Sequence, residues 1–183
     1  LVFDRFRSQV VDPSETRVLS WLNIAADGLC GGLNELADMA KVAPPAIYDV
    51  IARNPAIRGI KVRMSGSVLG GSGLQPLVAA RRVAREVGLP LFVHVGNAPP
   101  VLSDILDLMG TGDIVTHAFH GKPGGILTAE GTVLPALQRA LVRGVLLDVG
   151  HGTSSLSFRT VQRARERGIR PYSISTDIYR TNI

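Results

Sequence analysis

Cysteine, aromatic residues and long apolar runs are all scarce in this chain, and each scarcity excludes a class of protein. The single cysteine, Cys30, cannot form an internal disulfide. Aromatic residues make up 5% of the chain, which leaves no stacking platform for single-stranded nucleic acid. No apolar run approaches the roughly 18–20 residues of a membrane-spanning helix. Asp4, Arg5 and Arg7 occupy the stretch where a signal peptide would be apolar, so we expect a cytoplasmic protein.

Lysine is also scarce, although the chain is basic. Only three of the 20 basic residues are lysines (Lys41, Lys61 and Lys122), and the formal net charge is +5. The densest arginine runs, at 81–85 and 163–167, fall in helical patterns and are typical of solvated helix faces. We therefore expect neither nucleic acid nor membrane as a partner, but a small-molecule substrate and, as one option, a homo-oligomer.

What the chain does contain is a repeat of short apolar strands and amphipathic helices. At 183 residues and 45% hydrophobic composition it can bury one sizeable core. The pattern predicts strands at 17–24, 57–64, 89–95, 113–119, 144–149 and 171–175. It predicts helices at 3–11, 33–42, 45–54, 74–87, 101–109, 133–143 and 155–168.

This alternation predicts an α/β fold with a parallel sheet. Almost every strand ends in polar or ionisable residues, which favours a TIM (β/α)₈ barrel over an open doubly wound sheet with its single crevice. A complete barrel needs eight strands and about 250 residues. We therefore interpret residues 1–183 as a single partial barrel domain with about six strands, lacking two strands at the start and the last helix.

Lys61 is the first candidate site residue. Within a strand, Lys61 and Arg63 share one face, and the apolar Ile60, Val62 and Met64 share the other. An apolar face turned towards helices would leave Lys61 inside the barrel, where an ammonium group is costly unless paired or modified. Three interpretations remain open: a strand-end ion pair, a Schiff-base lysine, and a lysine carbamylated by CO₂ that bridges metals.

His94, His117 and Asp177 each follow a separate predicted strand. Because parallel strands end at one edge, these side chains can converge with Lys61. Neutral imidazoles and carboxylates bind divalent metals such as zinc, and hydrolases keep one coordination position open for water. Taken singly, each histidine has an equally good structural explanation, and Asp177 also suits a helix N-cap.

Five short segments carry a family resemblance: GIKVRMS around Lys61, FVHVGNAPP around His94, THAFHG around His117, DVGHG at 148–152 and STDIY around Asp177. Together they resemble the amidohydrolase superfamily, in particular its dihydroorotase-like branch of amidohydrolase/deacetylase metallohydrolases. The resemblance extends over essentially the whole chain.

The resemblance implies a barrel with two divalent metal ions, expected to be Zn²⁺. Lys61 would be the carbamylated lysine that bridges them, His94 and His117 would hold the second metal, and Asp177 would bind the first and act as general acid and base. A metal-activated hydroxide would attack the substrate carbonyl. The family's His-x-His pair is missing, since no histidine precedes His94. We therefore expect this chain alone to be inactive.

Other polar residues are expected at the mouth of the barrel. Arg63 would bind a substrate carboxylate or pair with a loop acid. His151 would contact substrate or serve a turn, and His120, of opposite parity to His117, is interpreted as a supporting or loop residue. The glycine-rich segment 65–73 lacks the ending of a phosphate-binding P-loop and is expected to be a flexible loop. The glycines at 121 and 124–125 suit a loop that approaches a ligand closely.

The leading hypothesis is a metal-dependent hydrolase that cleaves a non-peptide C–N amide bond, or a related ester, of a small acylated substrate bearing a carboxylate. One alternative is a barrel lyase or aldolase with Lys61 as its Schiff base, which leaves the histidines and Asp177 without a joint role. The other is a non-catalytic barrel fragment. A His-x-His upstream of Leu1 would decide for the hydrolase.

Overall fold

A computed structural model describes residues 3–29 and 34–178. Its centre is a parallel sheet of five strands, β1 to β5, which are hydrogen-bonded in the order in which they occur in the chain. Their bounds are Ser20–Asn23, Ile57–Met64, Leu91–Val95, Ile114–Thr116 and Leu146–Leu147. A doubly wound sheet would reverse its strand order at a switch point. The sequential order therefore agrees with the predicted barrel.

Seven α-helices, α1 to α7, lie among the described residues. Their bounds are Phe3–Phe6, Ala46–Arg53, Gly66–Leu69, Gln75–Val87, Leu102–Asp107, Pro135–Val142 and Phe158–Glu166. Helix α1 continues as a π-helix at Arg7–Val11. Five predicted helices and the segment at 3–11 are thus helical, with ends shifted by one to three residues at most positions.

Alternation along the strands separates the two faces of the sheet. In β2, Ile60, Val62 and Met64 are buried, whereas Lys61 and Arg63 are only partly buried. The buried face packs under α4, whose Leu77, Ala80, Val83 and Ala84 belong to the same core. Because side chains alternate across a strand, the apolar positions build the core and the polar positions face the barrel interior.

The strand register aligns the candidate residues. Lys61 lies opposite Asn23 of β1 and Phe92 of β3. One step nearer the carboxyl ends, His94 lies between Arg63 and Thr116. Polar residues that follow different strands are therefore brought to one end of the sheet.

The helix predicted at 33–42 is wrong over its described part. Residue 34 has 3₁₀ geometry, residues 35–37 form turns, and a short 3₁₀ helix, Met39–Lys41, follows. The Asp38 side chain accepts a hydrogen bond from the Ala40 amide at 2.9 Å, and this local bond starts the 3₁₀ turn instead of continuing an α-helix. An antiparallel bridge between Ala25 and Val42 then ties this segment to the end of β1.

The strand predicted at 171–175 is present only as a single parallel bridge between Asp148 and Ser173. Backbone bonds nevertheless continue along it, from Val149 to Ser173 and from His151 to Ser175. This segment lies beside β5 and carries the chain to Asp177. No helix in the described parts of the chain is long and apolar enough to cross a membrane.

Candidate active site

Lys61 occupies the interior face of β2, and its environment lowers the pKa of its amine. Its Nζ lies 4.4 Å from the centre of the Phe92 ring, which comes from β3. The pKa of Lys61 is lowered from 10.5 to about 8, chiefly by burial; Asp177 opposes this shift and Arg63 adds to it. At pH 7 most of the amine is still charged, but the neutral, nucleophilic fraction is far larger than that of an ordinary lysine.

His94 of β3 and His117, directly after β4, meet beside Lys61. Their ring centres are 4.3 Å apart in an edge-to-face arrangement. Burial, followed by the proximity of His117 and Lys61, lowers the pKa of His94 to about 2. Burial also lowers the pKa of His117, against the opposing effect of its bond to Gly150. Both imidazoles are therefore neutral at physiological pH, which is the form that binds metals.

Backbone geometry sets the direction of the His117 ring. Its Nδ1 lies 2.6 Å from the carbonyl oxygen of Gly150 and donates a hydrogen bond to it. The other nitrogen, Nε2, is then an acceptor, and it lies 3.7 Å from Oδ2 of Asp177. A backbone carbonyl that fixes one ring nitrogen in this way is a common support for a metal-binding histidine.

Two of the candidate residues have a strained backbone. His117 has φ of 62° and Asp177 has φ of 52°. Values above zero are uncommon for residues other than glycine and concentrate at functional sites. Asp177 has a side chain that is 48% exposed, so its carboxylate faces both the histidines and the barrel mouth.

Asp148, at the end of β5, is a buried carboxylate beneath this site. It accepts hydrogen bonds from the hydroxyls of Thr116 (2.7 Å), Ser173 (2.7 Å) and Ser175 (2.6 Å). Sequence reasoning assigned it no role of its own. The interior side chain Phe92 was also missed, although its alternation with His94 within one strand was a usable signal.

The remaining predicted residues are placed as follows. Arg63 forms an ion pair with Glu35, with Nη2 and Oε2 2.9 Å apart, which is the loop-acid pairing that the sequence allowed. His151 is exposed, and its backbone amide bonds to Ser175. His120 is buried in the loop after β4 and accepts a hydrogen bond from the Lys122 amide.

The donor set suits a metal ion only if Lys61 contributes. The described residues contain no group of three or more His, Cys, Asp or Glu side chains placed to hold a metal by themselves. His117 nevertheless adjoins both His94 and Asp177, and both imidazoles are neutral. A carbamate on Lys61 would add the oxygen ligands that an unmodified lysine lacks. The residues present therefore fit part of a metal centre.

Comparison with known proteins finds relatives that share one name. The chain is 36% identical over 180 residues to a deacetylase of Brucella anthropi and 41% identical over 172 residues to a deacetylase of Enterococcus faecalis. These alignments cover 97% and 92% of this chain, but 45% and 46% of those proteins. The chain thus spans about half the length of the curated relatives it matches. No protein-family model matches it.

Two solved structures resemble it closely. A dihydroorotase crystal structure matches with a TM-score of 0.87 at 34% identity, covering 96% of this chain and 47% of the other. An adenine deaminase crystal structure matches with a TM-score of 0.92 at 38% identity, covering 97% and 49%.

These relatives agree with the resemblance to the amidohydrolase superfamily that the sequence segments indicate, and the chain forms an incomplete (β/α)₈ barrel. The curated relatives above carry the name deacetylase. The predicted fold class is confirmed, and the names of the relatives agree with the predicted class of enzyme.

Proposed function

We propose that this chain is the part of a metal-dependent deacetylase that holds the carbamylated lysine and the second metal of a binuclear, zinc-type centre. The observation that carries the proposal is the meeting of two neutral imidazoles, His94 and His117, with Asp177 and a lysine of lowered pKa. Lys61 comes from β2 and His94 from β3, whereas His117 follows β4 and Asp177 follows the segment that is bridged to the end of β5. The relatives named deacetylases support the same reaction class.

Lys61 would enter the centre through reaction with CO₂. Its neutral amine forms an N–C bond to the CO₂ carbon and releases one proton, which leaves an anionic carbamate. The lowered pKa of Lys61 supports this step because the protonated amine is not a nucleophile. Once formed, the carbamate oxygens would be ligands alongside His94, His117 and Asp177.

A bound divalent ion would polarise the substrate carbonyl and lower the pKa of water. The chain's own residues would do the rest. His117 is held by the Gly150 carbonyl, so Nε2 keeps one orientation. Asp177, which is exposed on one side, would take a proton from the attacking water and return it to the leaving group.

The substrate is proposed to be a small acylated compound, an amide or a related ester, that bears a carboxylate. Arg63 lies on the interior face next to Lys61, and Glu35 holds its Nη2. Arg63 would bind the substrate carboxylate, and His151 would contact the substrate at the mouth of the barrel. We also propose that the protein acts in the cytoplasm and forms a homo-oligomer. The remaining metal ligands would come from the half of the barrel that the longer relatives contain.

The test uses the natural full-length protein. Metal content and hydrolysis of N-acetyl and O-acetyl compounds, with and without a carboxylate, are measured for the wild type and for Lys61→Ala. We expect Lys61→Ala to lower kcat/KM by at least about a hundredfold and to lower the metal content. The matched control is Lys41→Ala, because Lys41 is an exposed lysine paired with Asp27.

Two results would contradict the proposal. One is a Lys61→Ala protein with unchanged metal content and unchanged activity. The other is covalent trapping of a carbonyl substrate on Lys61 by borohydride, which would establish the Schiff-base alternative instead.

A further inference from the structure

A second cavity, outside the site above, carries an excess of positive charge. It has a volume of about 480 Å³ and lies between the loop after β4, residues 120–129, and the beginning of α7. We propose that this cavity binds the phosphate group of a free phosphate ion or of a small phosphomonoester. Its volume falls within the ordinary range for small-molecule sites.

Three cationic side chains line the cavity: Lys122 from the loop, and Arg159 and Arg163 from successive turns of α7. Among the described residues that line it, none is acidic. None of the three cations forms an ion pair in the part of the chain that the structure describes. Cations that share a concave surface without a carboxylate attract a counter-ion, and an anion with several oxygens is the natural one.

Backbone amides without an acceptor also lie at or beside this cavity. Ser157 caps α7 by accepting a hydrogen bond from the Thr160 amide at 3.3 Å. The next two amides, of Phe158 and Arg159, have no acceptor among the described residues. Such amides at a helix start favour an anion. The loop at 121–125 contributes the amides of Gly124 and Gly125, which likewise find no acceptor within the described residues.

His120 supplies an independent observation. Its side chain is 3% exposed and forms part of the cavity wall. Its Nδ1 accepts the Lys122 amide hydrogen at 3.1 Å, so the ring hydrogen is on Nε2. Nε2 donates to no described residue and keeps some solvent-accessible surface. A ring donor in the cavity wall, beside three cations, favours a ligand that accepts hydrogen bonds.

Gly125 lets the loop rest against the His120 ring. A Cβ atom on Gly125 would lie 3.1 Å from Cε1 of His120 and would push the ring aside by a few tenths of an ångström. Neither His120 nor the cations were given a catalytic role in the proposed hydrolase. The inference therefore stands or falls independently of the metal centre.

The experiment measures binding by titration calorimetry on the natural protein after treatment with a chelator, so that no metal ion contributes phosphate binding. Inorganic phosphate and glycerol 3-phosphate are the two probes. We expect Arg159→Gln and Arg163→Gln each to weaken binding by at least about tenfold. Arg165→Gln removes the same charge from the same helix, but Arg165 does not line the cavity, so its binding should stay within about twofold of wild type.

The two probes distinguish the source of the phosphate group. Tighter binding of glycerol 3-phosphate supports a phosphorylated metabolite, and equal or weaker binding supports the free ion. The proposal is overturned if neither probe binds below roughly 10 mM at physiological salt. It is also overturned if Arg165→Gln weakens binding as much as Arg163→Gln does, because the attraction would then be nonspecific. All three arginines are exposed, so the variants should fold, which circular dichroism verifies.

Discussion

At the scale of single residues, the direction of the His117 ring depends on a glycine of the neighbouring strand end. Gly150 has φ of 54°, and its carbonyl accepts the His117 Nδ1 hydrogen. A Cβ at this position would overlap Thr116 Oγ1 and would lie 2.6 Å from His117 Nδ1. Position 150 therefore tolerates no side chain while His117 keeps its orientation.

We expect Gly150→Ala to reduce stability by more than about 2 kcal/mol, because left-handed strain is added to a steric clash. The loss in kcat/KM, expressed as a free energy, should exceed the loss in stability, because the His117 ring must rotate away from residue 150. The control is Gly168→Ala, where φ is 77° but nothing lies within 4 Å of the added Cβ. That variant should lose only about 1 kcal/mol. Chemical denaturation and kcat/KM are the measurements, and equal losses in the two variants would contradict the argument.

At the scale of elements, Asp148 replaces backbone bonds that the sheet lacks at this edge. Strand β5 has only two residues, and the next segment meets it in a single bridge. The Asp148 carboxylate joins the end of β5 to two other stretches of chain, because it accepts hydroxyl bonds from Thr116 at the end of β4 and from Ser173 and Ser175 in the next segment. Bonds to a charged acceptor are stronger than neutral ones.

Asp148→Asn keeps the shape of the side chain but removes the charge and turns one acceptor into a donor. We expect a loss of about 2–3 kcal/mol, because the charged acceptor is lost and at least one hydroxyl then faces an NH₂ group. Ser173→Ala removes a single bond and should cost about 1 kcal/mol. Thermal or urea unfolding measures the stability loss of each variant. A Ser173→Ala loss as large as that of Asp148→Asn would show that the carboxylate is not the common anchor.

The same elements show how far sequence reasoning reaches. The period of the apolar residues located β2 at both of its ends and α4 to within one residue, because burial on one face controls both. The segment at 33–42 failed because the Asp38 side chain bonds to its own backbone, which competes with the helix. The positive φ of His117 and the partners of Asp148 depend on distant residues, so no local pattern predicts them.

At the scale of the whole molecule, the burial of Lys61 that the site requires lowers the stability of the folded chain. Its pKa is lowered from 10.5 to about 8 in the folded chain. Between those two pH values the unfolded chain binds more protons than the folded one, so stability rises as the pH increases. Below pH 8 the amine is charged in both the folded and the unfolded chain. Burying this charge then lowers the free energy of unfolding by about 3 kcal/mol.

Lys61→Met removes the charge while it keeps most of the apolar stem. We therefore expect the variant, free of metal and CO₂, to be more stable than wild type at pH 7 by up to about 3 kcal/mol. The gain should shrink as the pH rises from about 8 and should disappear near 10.5, where the wild-type amine is neutral in both states. Urea unfolding at pH 7, 9 and about 10.5 measures this difference. A difference that does not change with pH would mean that Lys61 stays charged in the folded protein, and the carbamate proposed for it would lose its chemical basis.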